Sequence, residues 1–343
     1  MNPTIKDVAK KANVSIATVS RILNNKPGFS EETKQKVLKV IGELGYQPNA
    51  VARGLVNKRT ETIGVLIPKV SDMLAAEILN GIDDFAHRLG LSVIVCNTDS
   101  NGKRTMDYLR ILAEKRIDGI ILVSEFVTEA YYQAIVEMKV PVVLVSTISY
   151  QFLLPYVKVD DRHAAFSATD YLIRHGHRKI AMVTGSESDP VAGIPRIEGY
   201  KSALRLHGLE IDENQIINAA NFRFEDGMKA MEEIIRRKLD MTAIFASSDE
   251  LAAGAMSKAF QHGIQIPSQL SIISYDNTKL AEMVTPPLTA VSQPLYEMGK
   301  TAATMLFEMV ESGDKMVESR IMPHTIVERQ TVQMLGDEAN MPK

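Results

Sequence analysis

The chain is poor in cysteine: among 343 residues only Cys96 is present. One thiol cannot close an internal disulfide, so a disulfide-built fold is excluded and a reduced, cytosolic setting is expected. Cys96 lies in the apolar run Ser92–Asn97, where it reads as a small buried strand residue. No apolar run approaches the ~18 residues that a membrane span needs. The first residues, Met1-Asn-Pro-Thr-Ile-Lys-Asp7, lack the apolar core of a secretory signal, so no export is expected. His and Cys nowhere cluster at metal-ligand spacing. There is no Gly-x-Gly-x-x-Gly, no phosphate-loop motif and no nucleophile elbow. The expectation is a chain with no metal, no cofactor and no catalysis.

What is present is distributed unevenly. The formal net charge is −3. Residues 1–60 hold 11 Lys and Arg against four acids, a head of +7, and the remainder is −10. A basic head on an acidic body points to a polyanion partner for the head alone.

In that head, Thr4 and Asp7 are placed as an N-cap and its partner three residues on. Ile5, Val8, Ala9 and Ala12 fall on one helix face, and Asn13 suits a left-handed stop. Val14 packs inward, and Ser15 caps a second helix, Ile16 to Leu23. Val19, Ile22 and Leu23 face the core, leaving Ile16, Ala17, Thr18, Ser20 and Arg21 outward. Small and hydroxylated residues let a helix approach DNA closely, and Arg21 reaches a guanine edge or a phosphate. Asn24 to Gly28 is a turn. A third helix, Glu31 to Leu44, closes the core with Val37, Leu38, Val40 and Ile41, and Gly45 stops it. After it, Asn49 is a good N-cap for a segment, 50–56, too short to be stable alone.

These residues carry a resemblance. Thr4-Ile-Lys-Asp-Val-Ala9, Val14-Ser15, Thr18-Val-Ser-Arg21 and Leu23-Asn24, followed by Gly45-Tyr46, Pro48-Asn49 and Ala52-Arg-Gly-Leu55, resemble the LacI/GalR family of bacterial repressors. The resemblance implies an all-α helix-turn-helix head (1–48), a hinge helix and linker (49–60) and a homodimer on a near-palindromic operator. It implies that Ile16, Ala17 and Arg21 read bases. Ser15, Thr18, Ser20, Asn24 and Asn49 would contact phosphate or backbone, with Thr4 and Arg53 in the same DNA-facing set. Leu55 would be an apolar wedge that opens the central base step.

From Thr62 onward, apolar runs alternate with amphipathic stretches: 62–67, 93–96, 119–123, 142–145, 180–183, 243–246 and 270–274. Continuous apolar strands between helices mean parallel sheets covered on both faces, and this many units means two α/β lobes. The chain is expected to cross between lobes near Val159–Arg162, and again around Leu288–Gln293 and Arg320–Val332. This resembles the type I periplasmic-binding-protein body of the same family. One lobe is expected over about 61–160 and 292–320, the other over about 161–291 and 321–332, with 333–343 a frayed tail. A transport binding protein shares that body, but would need export and no head. No C-terminal heptad run is evident, so a dimer is expected rather than a tetramer.

In such folds ligands sit at the carboxyl ends of the strands, where lobes meet. Candidates there include Asp72, Met73, Ser124-Glu125, Ser146-Thr147, Gly185 to Glu187, Asp249 and Tyr275 to Asn277. Hydroxyls, amides and carboxylates suit a sugar-like effector, although Asp72 and Asp249 alone could equally be helix caps. The resemblance implies effector contacts from Arg196, in an Arg-x-x-Gly-Tyr setting, from the strand-end Asp276 and from Phe222 against the ligand ring. A structural ion pair for Arg196 and plain core packing for Phe222 are the alternatives. Met73-Leu74 stands where many relatives carry aromatics. The head also resembles the catabolite-control branch, which a phosphorylated carrier protein co-activates. Thr304 stands where that branch has an arginine, which disfavours a phosphocarrier co-regulator and favours a directly bound sugar.

Overall fold

The computed structural model describes residues 3–23, 27–46, 59–99, 102, 104–314 and 316–336. The chain divides into two compact units, Met1–Glu61 and Thr62–Lys343.

The first unit is three helices: α1 (Ile5–Ala12), α2 (Ile16–Leu23) and α3 (Glu31–Leu44). Asp7 accepts from the Thr4 backbone N–H at 2.8 Å and from its hydroxyl at 2.7 Å, closing the predicted cap. The Thr4 bonds hold the Asp7 carboxyl below its usual range. Asn13 takes the left-handed conformation and Gly45 stops α3 the same way. Val8, Ala9, Ala12, Val19, Ile22, Val37 and Val40 form a small core. Leu38 departs from expectation: it is 42% exposed. The buried stripe of α3 runs through residues 37, 40, 41 and 44, and Leu38 lies about 100° away from Val37 around the helix.

The second unit holds two six-stranded sheets. The first runs β11–β5–β4–β3–β1–β2, with β1 (Thr62–Ile67), β2 (Ser92–Asn97), β3 (Gly119–Val123), β4 (Val142–Val145), β5 (Tyr156–Val159) and β11 (Arg320–Met322). All its neighbours are parallel. Around it lie α4 (Met73–Arg88), α5 (Thr105–Lys115), α6 (Glu129–Met138) and α12 (Leu295–Ser312). The second runs β12–β10–β9–β8–β6–β7, with β6 (Ile180–Thr184), β7 (Ile216–Asn218), β8 (Ala243–Ala246), β9 (Ser271–Asp276), β10 (Thr289–Ser292) and β12 (Thr325–Val327). Only β12 is antiparallel to its neighbour. Its helices are α7 (Asp161–Arg174), α8 (Gly193–Leu206), α9 (Phe224–Arg237), α10 (Asp249–Gln261) and the short α11 (Lys279–Met283).

The seven apolar runs read in the sequence are β1 to β4, β6, β8 and β9, and β1, β3, β4, β6 and β8 are buried almost throughout, as parallel strands covered on both faces must be. The chain passes between sheets three times: from β5 into α7, from β10 into α12, and from β11 to β12. β11 stays in the first sheet through Met322, past the change of lobe expected at 320. One apolar core runs through both lobes, from Val65 and Ile78 to Tyr200 and Ile273. At its centre α4 and α12 cross at glycine. A Cβ on Gly81 would stand 2.0 Å from Tyr296 O, and one on Gly299 2.0 Å from Ile78 O. Side chains at either crossing would force the helices apart.

Residues 333–335 are not the frayed segment that their lack of periodicity suggests. His175 O accepts from Leu335 N–H at 2.8 Å, Ser271 Oγ from Gln333 N–H at 3.1 Å, and His177 Nε2 lies 3.2 Å from Gln333 O. Backbone pairing rather than apolar periodicity holds them, which sequence pattern does not reveal.

Candidate functional site

The head presents α2 as its polar face. Ile16, 45% exposed, stands with exposed Ala17 and Arg21 and half-buried Thr18 and Ser20 on the side away from Val19 and Ile22. Ser15 Oγ accepts from Thr18 N–H at 3.0 Å and lies 2.9 Å from Thr18 Oγ1, so the hydroxyl pair starts the helix and stays at the surface. Arg21 runs along the turn at Gly28, whose φ is 115° and where a Cβ would sit 3.3 Å from a terminal guanidinium nitrogen. A glycine there satisfies the backbone and leaves the arginine its path. Thr4 is exposed at the start of α1. Asn24, Asn49, Arg53 and Leu55, with the 49–58 stretch of the expected hinge, lie outside the described residues.

The body encloses a cleft of about 640 Å3 between its two sheets, at the carboxyl ends of the strands. Asp72, Met73, Arg196, Phe222, Asp249 and Asp276 all line it. At its floor is an ion network (Lys158, Asp161 and Arg196) whose members are each 7% exposed. Asp161 Oδ1 accepts from Arg196 Nε at 2.9 Å and lies 2.9 Å from Arg196 Nη2, while Lys158 Nζ is 3.0 Å from Asp161 Oδ2. Arg196 also donates to Ser247 O at 2.6 Å and stacks 3.8 Å above the Tyr275 ring, with Phe222 at 5.8 Å. Burial opposes the charge on Arg196, but Asp161, Tyr275 and Asp276 outweigh it and raise its pKa. Lys158 ends the first lobe and Asp161 begins the second, so this network sits on the first crossing.

Asp276 closes β9 with φ at 108°, a conformation costly for a non-glycine residue. Gln293 donates to its Oδ1 at 2.8 Å. Burial drives its carboxyl well above the usual range. Arg196 pulls the other way, and the nearby Asp249 and Asp72 push it further up. Asp276 thus combines a buried carboxyl, a strained backbone and a place in the cleft wall. Buried polar atoms without a protein partner stand at the same strand ends: Ser146 Oγ after β4, Thr184 Oγ1 ending β6, Ser247 Oγ after β8 and Asn277 Oδ1 after β9.

The other candidates have internal roles as well. Asp249 accepts from Ser274 Oγ at 2.6 Å and from Thr278 N–H and Oγ1 at 2.6 and 2.8 Å, so its carboxylate braces the turn after β9. Asp72 caps α4, accepting from Leu74 N–H at 2.9 Å. Phe222 packs against Gly185, where any Cβ would strike its ring at 2.4 Å. The structure adds Lys158, Asp161 and Gln293, which the sequence did not single out. Glu125 is tied to Thr98 and Thr105 Oγ1 at 2.9 and 2.5 Å, and burial raises its pKa against those bonds.

Comparison with known proteins follows the same division. Residues 4–49 match the model of bacterial regulatory proteins of the lacI family, and residues 169–332 a periplasmic binding protein-like domain. Catabolite control protein A of Priestia megaterium is 39% identical over 335 residues, covering 97% of this chain and all of that protein. The transcriptional repressor PurR of Vibrio atlanticus is 38% identical, covering 97% of this chain and 99% of that one. The lac repressor dimer bound to operator and the anti-inducer ONPF matches with a TM-score of 0.86 at 25% identity, over 97% of this chain and 100% of that one. The complex of the regulator CelR with cellobiose matches at 0.73 and 28%, over 96% and 99%. No helix among the described residues is long and apolar enough to cross a membrane. The head, the two-sheet body and these relatives agree: the chain belongs to the lacI family of bacterial regulatory proteins, and is a DNA-binding transcription regulator rather than an enzyme.

Proposed function

We propose that this regulator is a cytosolic, homodimeric repressor whose operator affinity is set by a sugar-like molecule bound between the lobes. The observation that carries the reading is the cleft. It is lined from both sheets, ends on the strained, buried Asp276 and includes Ser146, whose buried Oγ has no protein partner. A ligand bridging the lobes binds one arrangement better than another, and only that difference moves an equilibrium. Arg196 and Asp276 clamp hydroxyls from two sides, while Phe222 covers an apolar ring face. Asp72 and Met73 contribute from the first lobe and Asp249 holds the 274–278 turn in place. The relatives support the ligand class: one was solved with cellobiose, and a LacI family regulator from Enterococcus faecium with ribose.

In the head, α2 enters the major groove. Ile16, Ala17 and Arg21 read bases, and Thr4, Ser15, Thr18, Ser20 and Asn24 meet the backbone. Residues 49–60 form the hinge, with Asn49 and Arg53 at the backbone and Leu55 as the wedge. The lac repressor relative is a dimer on its operator, which supports the same assembly here. Relatives also include catabolite control proteins. Thr304, where a carrier-binding arginine would stand, turns its hydroxyl back to Lys300 O at 2.8 Å, so a phosphocarrier is not part of this reading.

The test is operator binding by fluorescence anisotropy with and without each sugar of a panel. A sugar that shifts the isotherm supports the reading. A protein that binds operator identically with every sugar, and is stabilised by none, overturns it.

A further inference from the structure

We propose that the cleft takes an uncharged, hydroxyl-rich ligand and rejects the phosphate ester of the same sugar. This rests on the cleft being the effector site and adds the charge class of the effector.

The first support is the charge inventory. Eight acids and four bases line the cleft. Two of the bases are already paired. Lys158 and Arg196 share Asp161, and Arg196 also lies in the field of Asp276. Lys69 acts on Glu250, and Arg223 has interactions of its own. That leaves the cleft wall with twice as many acids as bases, an unfavourable balance for an incoming anion. Burial raises the carboxyls of Asp276 and Glu250, and acidic neighbours push the same way, Asp249 and Asp72 on Asp276 and Asp72 on Glu250. A phosphate dianion entering this space adds like charge where water is partly excluded.

The second support is independent. In α/β proteins a phosphate is commonly held by free backbone N–H groups at a helix N-terminus. Here four helix starts around the cleft are capped by the protein's own side chains, and at α9 the Glu250 carboxylate accepts from Phe224 N–H at 3.3 Å, while α11, which follows the cleft residue Thr278, has no side-chain cap. Asp72 caps α4 and Thr128 caps α6 through Tyr131 N–H at 3.3 Å. Asp160 caps α7 through His163 N–H at 3.0 Å. Ser248 caps α10 through Leu251 N–H at 3.1 Å, with Asp249 and Glu250 in its first turn. α8 has no side-chain cap, but Asp189 stands before it and accepts from Val191 N–H at 2.8 Å. Two of these caps are carboxylates at the positive end of a helix dipole, where a phosphate would otherwise sit. What the cleft offers instead are single acceptors and hydroxyls: Asp276, Ser124, Ser146 and Gln293. Carboxylates that accept and hydroxyls that do either suit neutral polyols.

The experiment is calorimetric titration of the full-length protein with matched pairs: glucose and glucose 6-phosphate, ribose and ribose 5-phosphate, cellobiose and its 6′-phosphate, trehalose and trehalose 6-phosphate. At least one neutral sugar is expected to bind, with its ester about 100-fold weaker or undetectable. An ester that binds as tightly as its parent, or better, overturns the proposal and leaves the cleft reading standing. The neutral hit is repeated on Phe222→Ala. Unchanged binding would place the ligand outside the cleft and overturn the reading beneath the proposal, as would a panel in which neither column binds. A double variant, Asp72→Asn with Glu250→Gln, separates charge from shape. Both keep an acceptor, and asparagine caps helices well. The penalty on the ester should shrink by about fivefold or more in that variant; a penalty that does not move means the acids do not set it, and the proposal fails.

Discussion

The two units carry polar function in opposite ways. The head keeps the groups proposed to meet DNA outside: a small apolar core holds α2, and Ile16, Ala17 and Arg21 stand on the surface. The body buries its own, with Arg196, Asp161, Lys158 and Asp276 each under a tenth exposed. An exposed site costs the fold little and gains from salt-dependent contact with a large polyanion. A buried site must satisfy every charge internally, and gains the stronger electrostatics needed to hold a small ligand. So the head should tolerate loss of its functional side chains, while the body should lose stability with some of its own.

The largest effect expected from that contrast is at Asp161. Asp161→Ala leaves two cations buried without their carboxylate and should destabilise the body by about 3–5 kcal/mol. Urea unfolding followed by circular dichroism checks this. A loss under about 1 kcal/mol would mean the network is wet and the contrast weaker than stated.

Next is Asp276→Asn, which keeps shape and the Gln293 neighbour. It should weaken the neutral ligand by about 1–3 kcal/mol, the cost of mismatching a buried hydrogen-bonding group, as read by calorimetry. Stability should move the other way with pH. The folded carboxyl is raised above its unfolded value, chiefly by burial. Its contribution is therefore fully present below the ordinary aspartate pKa near about 4 and is lost as pH rises toward the folded value. Wild type should fall steadily behind Asp276→Asn from about pH 4 upward. A pH-independent difference would contradict the burial.

On the head, Arg21→Ala should cost about 1–3 kcal/mol of operator affinity and relax base preference, with ligand binding to the body unchanged. An equal loss on every DNA sequence would make Arg21 a phosphate contact. The smallest effect is Ser30→Ala. Ser30 Oγ accepts from Thr33 N–H at 3.2 Å and caps α3. Its loss should cost the head about 1 kcal/mol, seen as an earlier first transition, with the body transition in place.

The same contrast decides what was legible in the sequence. The head is local: Thr4 with Asp7, Ser15 with Thr18 and Asn13 as a stop each act within four residues, where spacing rules apply. The strands of the body were legible because double-sided burial writes itself as unbroken apolar runs. The three-residue strands β7 and β11 were not, being too short to show a period. Arg196 and Asp276 were reached through resemblance to a family. Their supports were not, because Arg196 meets Asp161 across 35 residues and Ser247 across 51, and neither partner belongs to a motif. Gln293 stood only as the end of the crossing stretch Leu288–Gln293, and only the fold brings it to Asp276. Asp249 and Asp72 allowed two readings in sequence, and their hydrogen bonds show the cap and the brace directly.

The central claim is that a neutral ligand in the buried cleft controls a separate, exposed DNA-binding head. It is tested most directly by the operator-binding isotherm of wild type and Asp276→Asn, each with and without a saturating concentration of the tightest neutral sugar for wild type. The account predicts that the sugar shifts the wild-type isotherm by about 10-fold or more, that the same concentration shifts the variant's isotherm less, and that the two proteins bind operator alike without sugar. An equal shift in both proteins would contradict it.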